Sequence, residues 1–215
     1  QMLLCERAQV EALPEPCGAC QHCRYAERGN HPDLRWFFPR PRLKDGDASA
    51  DDVRADLADA IAERMSADGL WAPSVGTDGI HIATVRALVS QASVRPAMAT
   101  RAVFVVGDAE RMVSQEGADQ AANAFLKLLE EPPPGTTLIL TTSEPGALLP
   151  TIRSRVVTMR VPPIGSGDMQ AFLADSAVQR RFAKGVSADA VQRVSGAPGE
   201  LLADSATAAS LASAK

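Results

Sequence analysis

Two short apolar runs separated by a helical pattern constrain the fold of this sequence more than any other feature. The first, Ala102–Val106, is continuous and rich in β-branched residues, and the second covers Thr137–Thr142. Runs of this kind fit strands that are buried on both faces of a parallel sheet. Between them, residues 118–130 carry apolar residues on one helical face, and a Pro-Pro-Pro-Gly segment then stops the helix. This order of strand, helix and strand predicts an α/β domain with a parallel sheet.

Further elements flank this unit on both sides. Strands are predicted at Leu34–Phe38 and Val156–Val161, and helices at about 50–66, at 80–92 and around 147–152. From Gly165 onward the chain is rich in Ala and Ser. Helical periodicity there covers roughly 168–176, 187–195 and 199–213. We therefore expect a small helical second domain after the α/β domain.

The composition excludes several classes of protein. Of 215 residues, 46% are hydrophobic and 22% are charged, which is typical of a globular chain and argues against wholesale disorder. No apolar run approaches the roughly 18 residues of a membrane span, and no signal-peptide pattern opens the chain. The sequence therefore predicts a soluble, cytoplasmic protein. A net charge of -4 argues against a protein that binds nucleic-acid phosphates with its whole surface.

All four cysteines lie close to the start of the chain, at Cys5, Cys17, Cys20 and Cys23. Thiolates spaced by two residues on a tight knuckle converge on one metal ion, and a fourth from a neighbouring helix end completes a tetrahedron. A closed four-thiolate site leaves no position for a reactive water. The pattern therefore favours zinc in a structural role rather than a catalytic one.

Three other roles for these cysteines stay open at this point. Two disulfides would need an oxidising compartment, a thioredoxin-like pair would need a helix that opens directly after a strand, and ordinary buried cysteines would be spread along the chain. His22 and His31 are near the cysteines in sequence. Because a full set of thiolates leaves no vacancy on the metal, we expect both histidines at the surface.

Four motifs follow one another in the α/β region, at Val103–Glu110, Ala122–Pro133, Thr141–Thr142 and Thr151–Arg155. In this order they resemble the clamp-loader subunits of bacterial DNA polymerase III, which belong to the AAA+ superfamily. The block N-A-x-L-K-x-L-E-E-P-P within the second motif is very specific, and the cysteine knuckle is a second hallmark of the same family. The resemblance covers roughly 1–38 and 80–205, and residues 39–79 look like an insertion.

The resemblance implies an AAA+-type parallel sheet flanked by helices, with an inserted zinc knuckle at 5–23, followed by a small all-helical lid domain. The nucleotide-binding-type domain would span 1–163, and a truncated lid domain would span 164–215. In the family, the phosphate-binding P-loop lies upstream of a helix that resembles Gln1–Arg7. We therefore expect the P-loop to be missing with the N-terminal end of the domain.

Departures from the family's ATPase motifs make this chain resemble the delta-prime subunit, a stator, rather than the tau/gamma motor subunits. ATP hydrolysis needs one acidic residue on Mg²⁺ and a second that positions the attacking water. Asp108 keeps the first position as a degenerate Walker B residue, but Ala109 occupies the second. In the lid, Glu200 follows a setting where the family carries a basic sensor. The resemblance thus implies a non-catalytic component of the polymerase holoenzyme, in which binding of ATP and Mg²⁺ is in doubt.

The segment Thr151–Arg155 resembles the family's Ser-Arg-Cys motif, with Val156 in place of the cysteine. In the family, this arginine reaches the γ-phosphate of ATP held by the neighbouring subunit. The resemblance therefore implies that Arg155, together with Ser154, is a trans arginine finger, a role that suits a planar and permanent cation. Two alternatives stay open: a structural salt bridge made by Arg155, or the finger role on Arg153.

The implied partners are the tau/gamma and delta subunits in a heteropentamer-type ring of the replisome. Such a ring opens the sliding clamp and closes it around primed DNA during DNA replication. One alternative is an active tau/gamma-type ATPase, which would need a P-loop upstream. Another is an independent zinc-knuckle module that binds nucleic acid. A pI of about 5.4 and the lack of an aromatic-basic face in the sequence count against the latter.

Overall fold

The computed structural model describes residues 1–11, 13–43, 48–67, 69–70, 78–112, 119–182 and 185–201. Its strands are β1 (Leu34–Phe37), β2 (Ala102–Val106) and β3 (Thr136–Leu140). Its helices are α1 (Glu6–Glu11), α2 (Gln21–Glu27), α3 (Ala50–Ser66), α4 (Ile82–Ala92), α5 (Asp119–Glu130), α6 (Pro150–Arg153), α7 (Ser166–Ala174), α8 (Ser176–Arg181) and α9 (Ala188–Arg193). Short 3-10 turns cover Met2–Leu4 and Ala109–Arg111.

The three strands form one parallel sheet in the order β1-β2-β3. Val103 in the central strand lies opposite Leu34 on one side and Thr137 on the other. All five side chains of β2 are buried, as expected for a strand that is covered on both faces. The structure is thus a parallel sheet flanked by helices, which confirms the α/β fold predicted from the sequence.

The two faces of β2 contribute to different apolar clusters. On one face, Val103 and Val105 pack with Leu4 from the N-terminal turn. On the other face, Phe104 and Val106 belong to the main core, which includes residues of α3, α4 and α5. The N-terminal knuckle region and the sheet therefore share a hydrophobic contact directly beneath the central strand.

Helix α3 begins and ends where the periodicity predicts, and it is part of the main core. Val53, Leu57 and Ala60 are at most 5% exposed and pack in the same cluster as Phe37 of β1. Met65, near the end of the same helix, is 39% exposed. Helix α3, which lies in the segment 39–79, therefore packs in the main core together with the sheet.

The predicted strand at Val156–Val161 is wrong. Within the part of the chain that the structure describes, these residues pair with no other strand, and Val157, Met159 and Val161 are at least 85% exposed. Alternating apolar residues favour a strand only when a neighbouring strand and a packing surface complete it.

The predicted N-terminal helix also differs: a 3-10 turn over Met2–Leu4 precedes α1, and Cys5 between them is extended.

The chain divides into two compact units. The first comprises Gln1–Ala62 and Gly76–Thr158, with the sheet, and the second comprises Glu63–Val75 and Met159–Lys215. In the second unit, residues of α7 and α9, together with Phe182 just after α8, pack around Met169, Val194 and Leu201. The helix predicted at 199–213 lies outside the described residues from position 202 onward.

Gly196 is required by the backbone of the second unit. Its φ angle is +85°, and a Cβ atom there would lie 2.5 Å from the carbonyl oxygen of Ile164. The backbone N–H of Ile164 also donates to the carbonyl of Gly196 at 2.9 Å. Any side chain at position 196 would break this close approach.

Candidate functional site

Local backbone structure brings the four cysteines together. Cys5 ends the N-terminal 3-10 turn, Cys20 is the N-cap of α2, and Cys23 lies in the first turn of that helix. Cys17 precedes Gly18, whose φ of +67° is readily adopted only by glycine and turns the chain between Cys17 and Cys20. The knuckle is therefore built from two helix starts and one tight turn.

The four sulfur atoms have the spacing of a tetrahedral metal site. All lie within 4.8 Å of one another, and the Sγ atoms of Cys17 and Cys23 are 4.0 Å apart. Four thiolates around zinc at about 2.3 Å would lie about 3.8 Å apart. All four cysteines are free, and a disulfide would need sulfurs at about 2.05 Å. The cysteines are thus close enough to bind a metal such as zinc.

Backbone N–H groups and burial act in opposite directions on these thiols. The N–H groups of Cys17 and Ala8 each donate to Sγ of Cys5 at 3.4 Å. These bonds lower the pKa of Cys5 from its ordinary 9.0 to about 6. Burial raises the pKa of Cys23 to about 12. The backbone hydrogen bonds therefore favour the thiolate form of Cys5, whereas burial favours the thiol form of Cys23.

A chain of buried polar groups lies next to the knuckle, so the expectation that His22 and His31 are at the surface is wrong. His22 is 4% and His31 is 3% exposed. Nδ1 of His22 lies 2.8 Å from Nε2 of His31, and Nε2 of His22 lies 2.9 Å from a carboxylate oxygen of Glu6. Nδ1 of His31 accepts from the backbone N–H of Asp33. Both histidines are buried, and through these hydrogen bonds they connect α1 and α2 to the start of β1.

Asp33 extends this chain to the segment before β2. Its carboxylate accepts three backbone N–H groups, from Ala97 at 2.6 Å, Met98 at 2.8 Å and Ala99 at 2.7 Å. Burial alone would raise the pKa of Asp33, but these hydrogen bonds outweigh it and lower the pKa. Sequence reasoning missed this residue. The only available signal was an Asp directly before a strand.

The acidic motif after β2 is arranged around a buried alanine. Asp108 adopts a left-handed backbone, with a φ of 49°. Ala109 is 1% exposed, belongs to the main core and donates its N–H to the carbonyl of Thr141. The carboxylate of Glu110 accepts from the backbone N–H and the hydroxyl of Ser143. Burial would raise the pKa of Glu110, but hydrogen bonds from Thr142, from its own backbone and from Ser143 lower it.

Arg155 lies just after α6 and forms an ion pair within this chain. Its Nη2 lies 2.5 Å from Oε1 of Glu130, and its Nε donates to the same oxygen at 2.6 Å. Nη1 donates to the carbonyl of Thr151 and to the hydroxyl of Ser154. The guanidinium of Arg153, in contrast, has no hydrogen-bond or ion-pair partner among the described residues. The structure therefore contains a salt bridge between Arg155 and Glu130.

The fold and the site define a class: an α/β protein with a parallel sheet, four clustered cysteines at its N-terminal end and a second, helical unit. A family model described as DNA polymerase III, delta subunit, matches residues 1–165. The chain belongs to this family.

Individual relatives agree with that assignment. A DNA polymerase III subunit delta' from Bacillus subtilis is 27% identical over 81% of this chain and 41% of its own length. The subunit of the same name from Pseudomonas aeruginosa is 30% identical over 80% of this chain and 40% of its own length. The chain therefore spans about 40% of these relatives. A DNA polymerase III gamma subunit-related protein of solved structure from Thermotoga maritima is 25% identical and covers 76% of this chain and 53% of its own, with a TM-score of only 0.41.

Among the described residues, no helix combines the length and the apolar character that crossing a membrane requires.

Proposed function

We propose that this chain is part of a delta-prime-type subunit of the DNA polymerase III clamp loader and acts as a stator in loading the sliding clamp onto primed DNA. The observation that carries the proposal is the family match over residues 1–165, which includes both the cysteine knuckle and the ordered motifs after β2. In this function the chain joins tau/gamma and delta subunits in a ring. The helical unit with α7–α9 serves as its lid domain.

The motif after β2 supports a role without ATP hydrolysis in this subunit. A water-positioning carboxylate has to reach solvent beside the nucleotide, whereas Ala109 is 1% exposed and packs in the core. Glu110, the next acidic residue, has its carboxylate engaged by Ser143. Within the acidic motif after β2, Asp108 is the residue that would face Mg²⁺ if the ion were bound.

The metal in this proposal is zinc, held by Cys5, Cys17, Cys20 and Cys23. Four thiolates close the coordination sphere, so the ion supplies cross-linking energy and no reactive water. N–H donors to three of the sulfurs lie at 3.4–3.5 Å and stabilise negative charge on the thiolates. The ion would fix α1 and α2 to each other, next to the histidine pair.

The proposed arginine finger is Arg155, with Ser154 beside it. The guanidinium is partly exposed, at 30% of the side chain, and its partner Glu130 is 46% exposed. An ion pair of this exposure contributes little to stability. It can therefore hold the arginine in an extended position at the surface and release it when a phosphate from a neighbouring subunit approaches.

The test compares Arg155→Ala with Glu130→Gln in the complete clamp loader, assembled with its partner subunits and a clamp. If Arg155 acts in trans, Arg155→Ala lowers clamp- and DNA-stimulated ATP hydrolysis steeply, because a lost arginine finger costs roughly 10³-fold or more at the site it serves. Ring assembly persists in this variant. Glu130→Gln removes the salt bridge but keeps the cation, so it leaves most of the hydrolysis in place.

The outcomes separate the three interpretations of this motif. Equal losses in Arg155→Ala and Glu130→Gln mean that the salt bridge matters only structurally. A steep loss in Arg153→Ala, with none in Arg155→Ala, moves the finger to Arg153. Normal hydrolysis in all three variants contradicts the finger proposal, and failure of the chain to enter the ring contradicts the clamp-loader proposal itself.

A further inference from the structure

A cleft of about 290 Å³ lies between β1 and helix α3. Its walls come from the turn after α2, from residues 34–37 of β1, from Gln91 of α4 and from the inner side of α3. Helix α3 contributes Arg54, Leu57, Ala58, Ile61 and Ala62 to the lining.

Three arginines line the cleft: Arg28 after α2, Arg35 in β1 and Arg54 in α3. No aspartate or glutamate is present among its described lining residues. Three cations in one cleft contrast with the net charge of -4 of the whole chain. Concave surfaces that carry one sign of charge concentrate the field and attract ligands of the opposite sign.

Arg35 lacks a partner for its charge. Its side chain is half-buried and has no hydrogen bond or ion pair within the described part of the chain. Burial lowers the pKa of Arg35 below its ordinary value. The negative charge of Asp33 offsets part of this shift without a hydrogen bond. The carboxylate of Asp33 is occupied by three backbone N–H groups. An anion that enters the cleft would stabilise this half-buried cation by forming a charge-assisted hydrogen bond with it.

The other two arginines are available to the same ligand. Arg28 is exposed and also has no partner among the described residues. Arg54 pairs with Asp51 one turn earlier on α3, at 3.0 Å, but both side chains are more than half exposed. Such a surface pair is worth little, so Arg54 can exchange Asp51 for a ligand anion. The guanidinium fork suits phosphate oxygens, which accept two hydrogen bonds side by side.

Part of the wall of the cleft is aliphatic. Leu57 and Ile61 of α3 contribute to it, together with Leu34 of β1. A cleft lined by both cations and aliphatic side chains matches a ligand with a phosphate end and a planar, poorly hydrated ring. A run of carboxylates on an extended peptide has no counterpart for the apolar wall. Its volume is at the lower end of the range for small-molecule sites.

We propose that the cleft between β1 and α3 binds a nucleotide unit, with its phosphate at Arg28, Arg35 and Arg54 and its ring against the aliphatic wall. The ligand is a free nucleotide or one unit of a single-stranded nucleic acid, since both present the same chemistry. The described lining includes His31 but neither Asp108, Arg155 nor any cysteine, so this site is separate from the acidic motif after β2, the proposed arginine finger and the cysteine cluster. The proposal does not depend on the clamp-loader function.

The test measures binding by the zinc-loaded, full-length protein of three probes: thymidine triphosphate, fluorescein-labelled (dT)12 and hexaglutamate. Arg35→Gln and Arg54→Gln are compared with Arg86→Gln, an exposed arginine on α4 outside the described lining. We expect each cleft variant to weaken binding of a phosphate-bearing probe about tenfold, since a hydrogen bond to a charged group is lost. For (dT)12, the salt dependence should also fall by about 0.7 in slope per lost phosphate contact.

The comparison between probes identifies the source of the nucleotide. Tighter binding of (dT)12 than of thymidine triphosphate assigns the site to a single strand, and the reverse order assigns it to a free nucleotide. If Arg35→Gln perturbs folding, Arg54→Gln decides alone, because Arg54 is exposed. Hexaglutamate binding as tight as that of the phosphate probes overturns the proposal in favour of an acidic peptide. Binding of (dT)12 and thymidine triphosphate that is equal in all variants also overturns it.

Discussion

Ala109 lies in the acidic motif that follows β2, and its side chain is a single buried methyl group. Ala109 is 1% exposed and contacts the main core, while its N–H donates to Thr141. A carboxylate placed at this Cβ would lie in an apolar environment instead of beside a bound nucleotide. Ala109 is thus coupled to the packing of the core, and replacing it with an acidic residue would disturb that packing.

We therefore expect Ala109→Glu to destabilise the protein without creating ATP turnover. A buried, unpaired carboxylate is one of the changes that cost about 3 kcal/mol or more, and hydrolysis needs several parts that act together. Urea unfolding and a steady-state ATPase assay measure the two effects. Ala55→Glu, at an exposed position of α3, is the control and should unfold like the wild type. An Ala109→Glu protein with full stability, or with magnesium-dependent turnover, would contradict this account.

Asp33 is the residue that carries the polar network from the knuckle to the sheet. Its three N–H donors come from a segment more than 60 positions further along the chain. Protonation of the carboxylate removes the acceptor charge from all three bonds. The hydrogen bonds that lower the pKa of Asp33 are therefore also a stability contribution with a definite pH dependence.

Asp33→Asn should lower the free energy of unfolding at pH 7 by about 1–3 kcal/mol, because an amide accepts with one oxygen and turns N–H donors toward the same backbone groups. The folded-state pKa is depressed, so the carboxylate's contribution is complete above the unfolded pKa of about 3.9 and disappears as pH falls through the folded value. The difference between wild type and variant should thus shrink below about pH 4. Asp59→Asn, which changes an exposed aspartate on α3, is the control. A difference that stays constant with pH would exclude the carboxylate as the cause.

At the scale of elements, the knuckle consists of short pieces that cannot be stable alone. Helix α1 has six residues and α2 has seven, whereas isolated helices shorter than about 12 residues are marginal in water. The apolar cluster around Cys5, Ala8 and Cys23 is small. The four sulfur atoms are close enough to bind a metal ion, which would supply additional stabilisation here.

Changing Cys20 to Ser should reduce the metal content of the purified protein from about one equivalent to well below it. The loss should destabilise the N-terminal region by about 3 kcal/mol or more, because metal binding at such a site is largely folding energy. Metal analysis, thermal unfolding and amide exchange in α1 and α2 measure this. Gln21→Ser, on the exposed side of the same turn, should retain the metal. A metal-free wild-type protein with two disulfides would refute the zinc assignment.

At the scale of the whole molecule, each of the two units has its own apolar core. The first is organised by the sheet and the second by the α7–α9 cluster around Met169 and Leu201. The chain is acidic overall, yet the β1–α3 cleft is lined by three arginines. The net charge of the whole chain therefore does not describe the local charge of the cleft. The low pI of the chain does not exclude contact between the cleft and nucleic acid.

The sequence alone determined the parts that depend on local pattern. The continuous apolar run at Ala102–Val106 predicted the central strand, and the spacing of Val53 and Leu57 predicted α3. A strand that is buried on both faces is apolar throughout, and a helix that is buried on one face is apolar at every third or fourth position. Both patterns can therefore be recognised in the sequence. The cysteine spacing predicted that the four sulfur atoms lie close together for the same reason, since Cys17, Cys20 and Cys23 fall within seven residues. The order of the motifs after β2 then indicated the family.

Only the tertiary structure decided which residues meet across long separations. His22 and His31 are buried because Glu6 and the start of β1 approach them, and no local pattern encodes that approach. The strand predicted at Val156–Val161 does not form in the described structure, because a strand is completed by its neighbours and not by its own sequence. The arginine cleft arises in the same way. Arg28, Arg35 and Arg54 lie on three different elements, and only packing of α3 against the sheet brings their charges together.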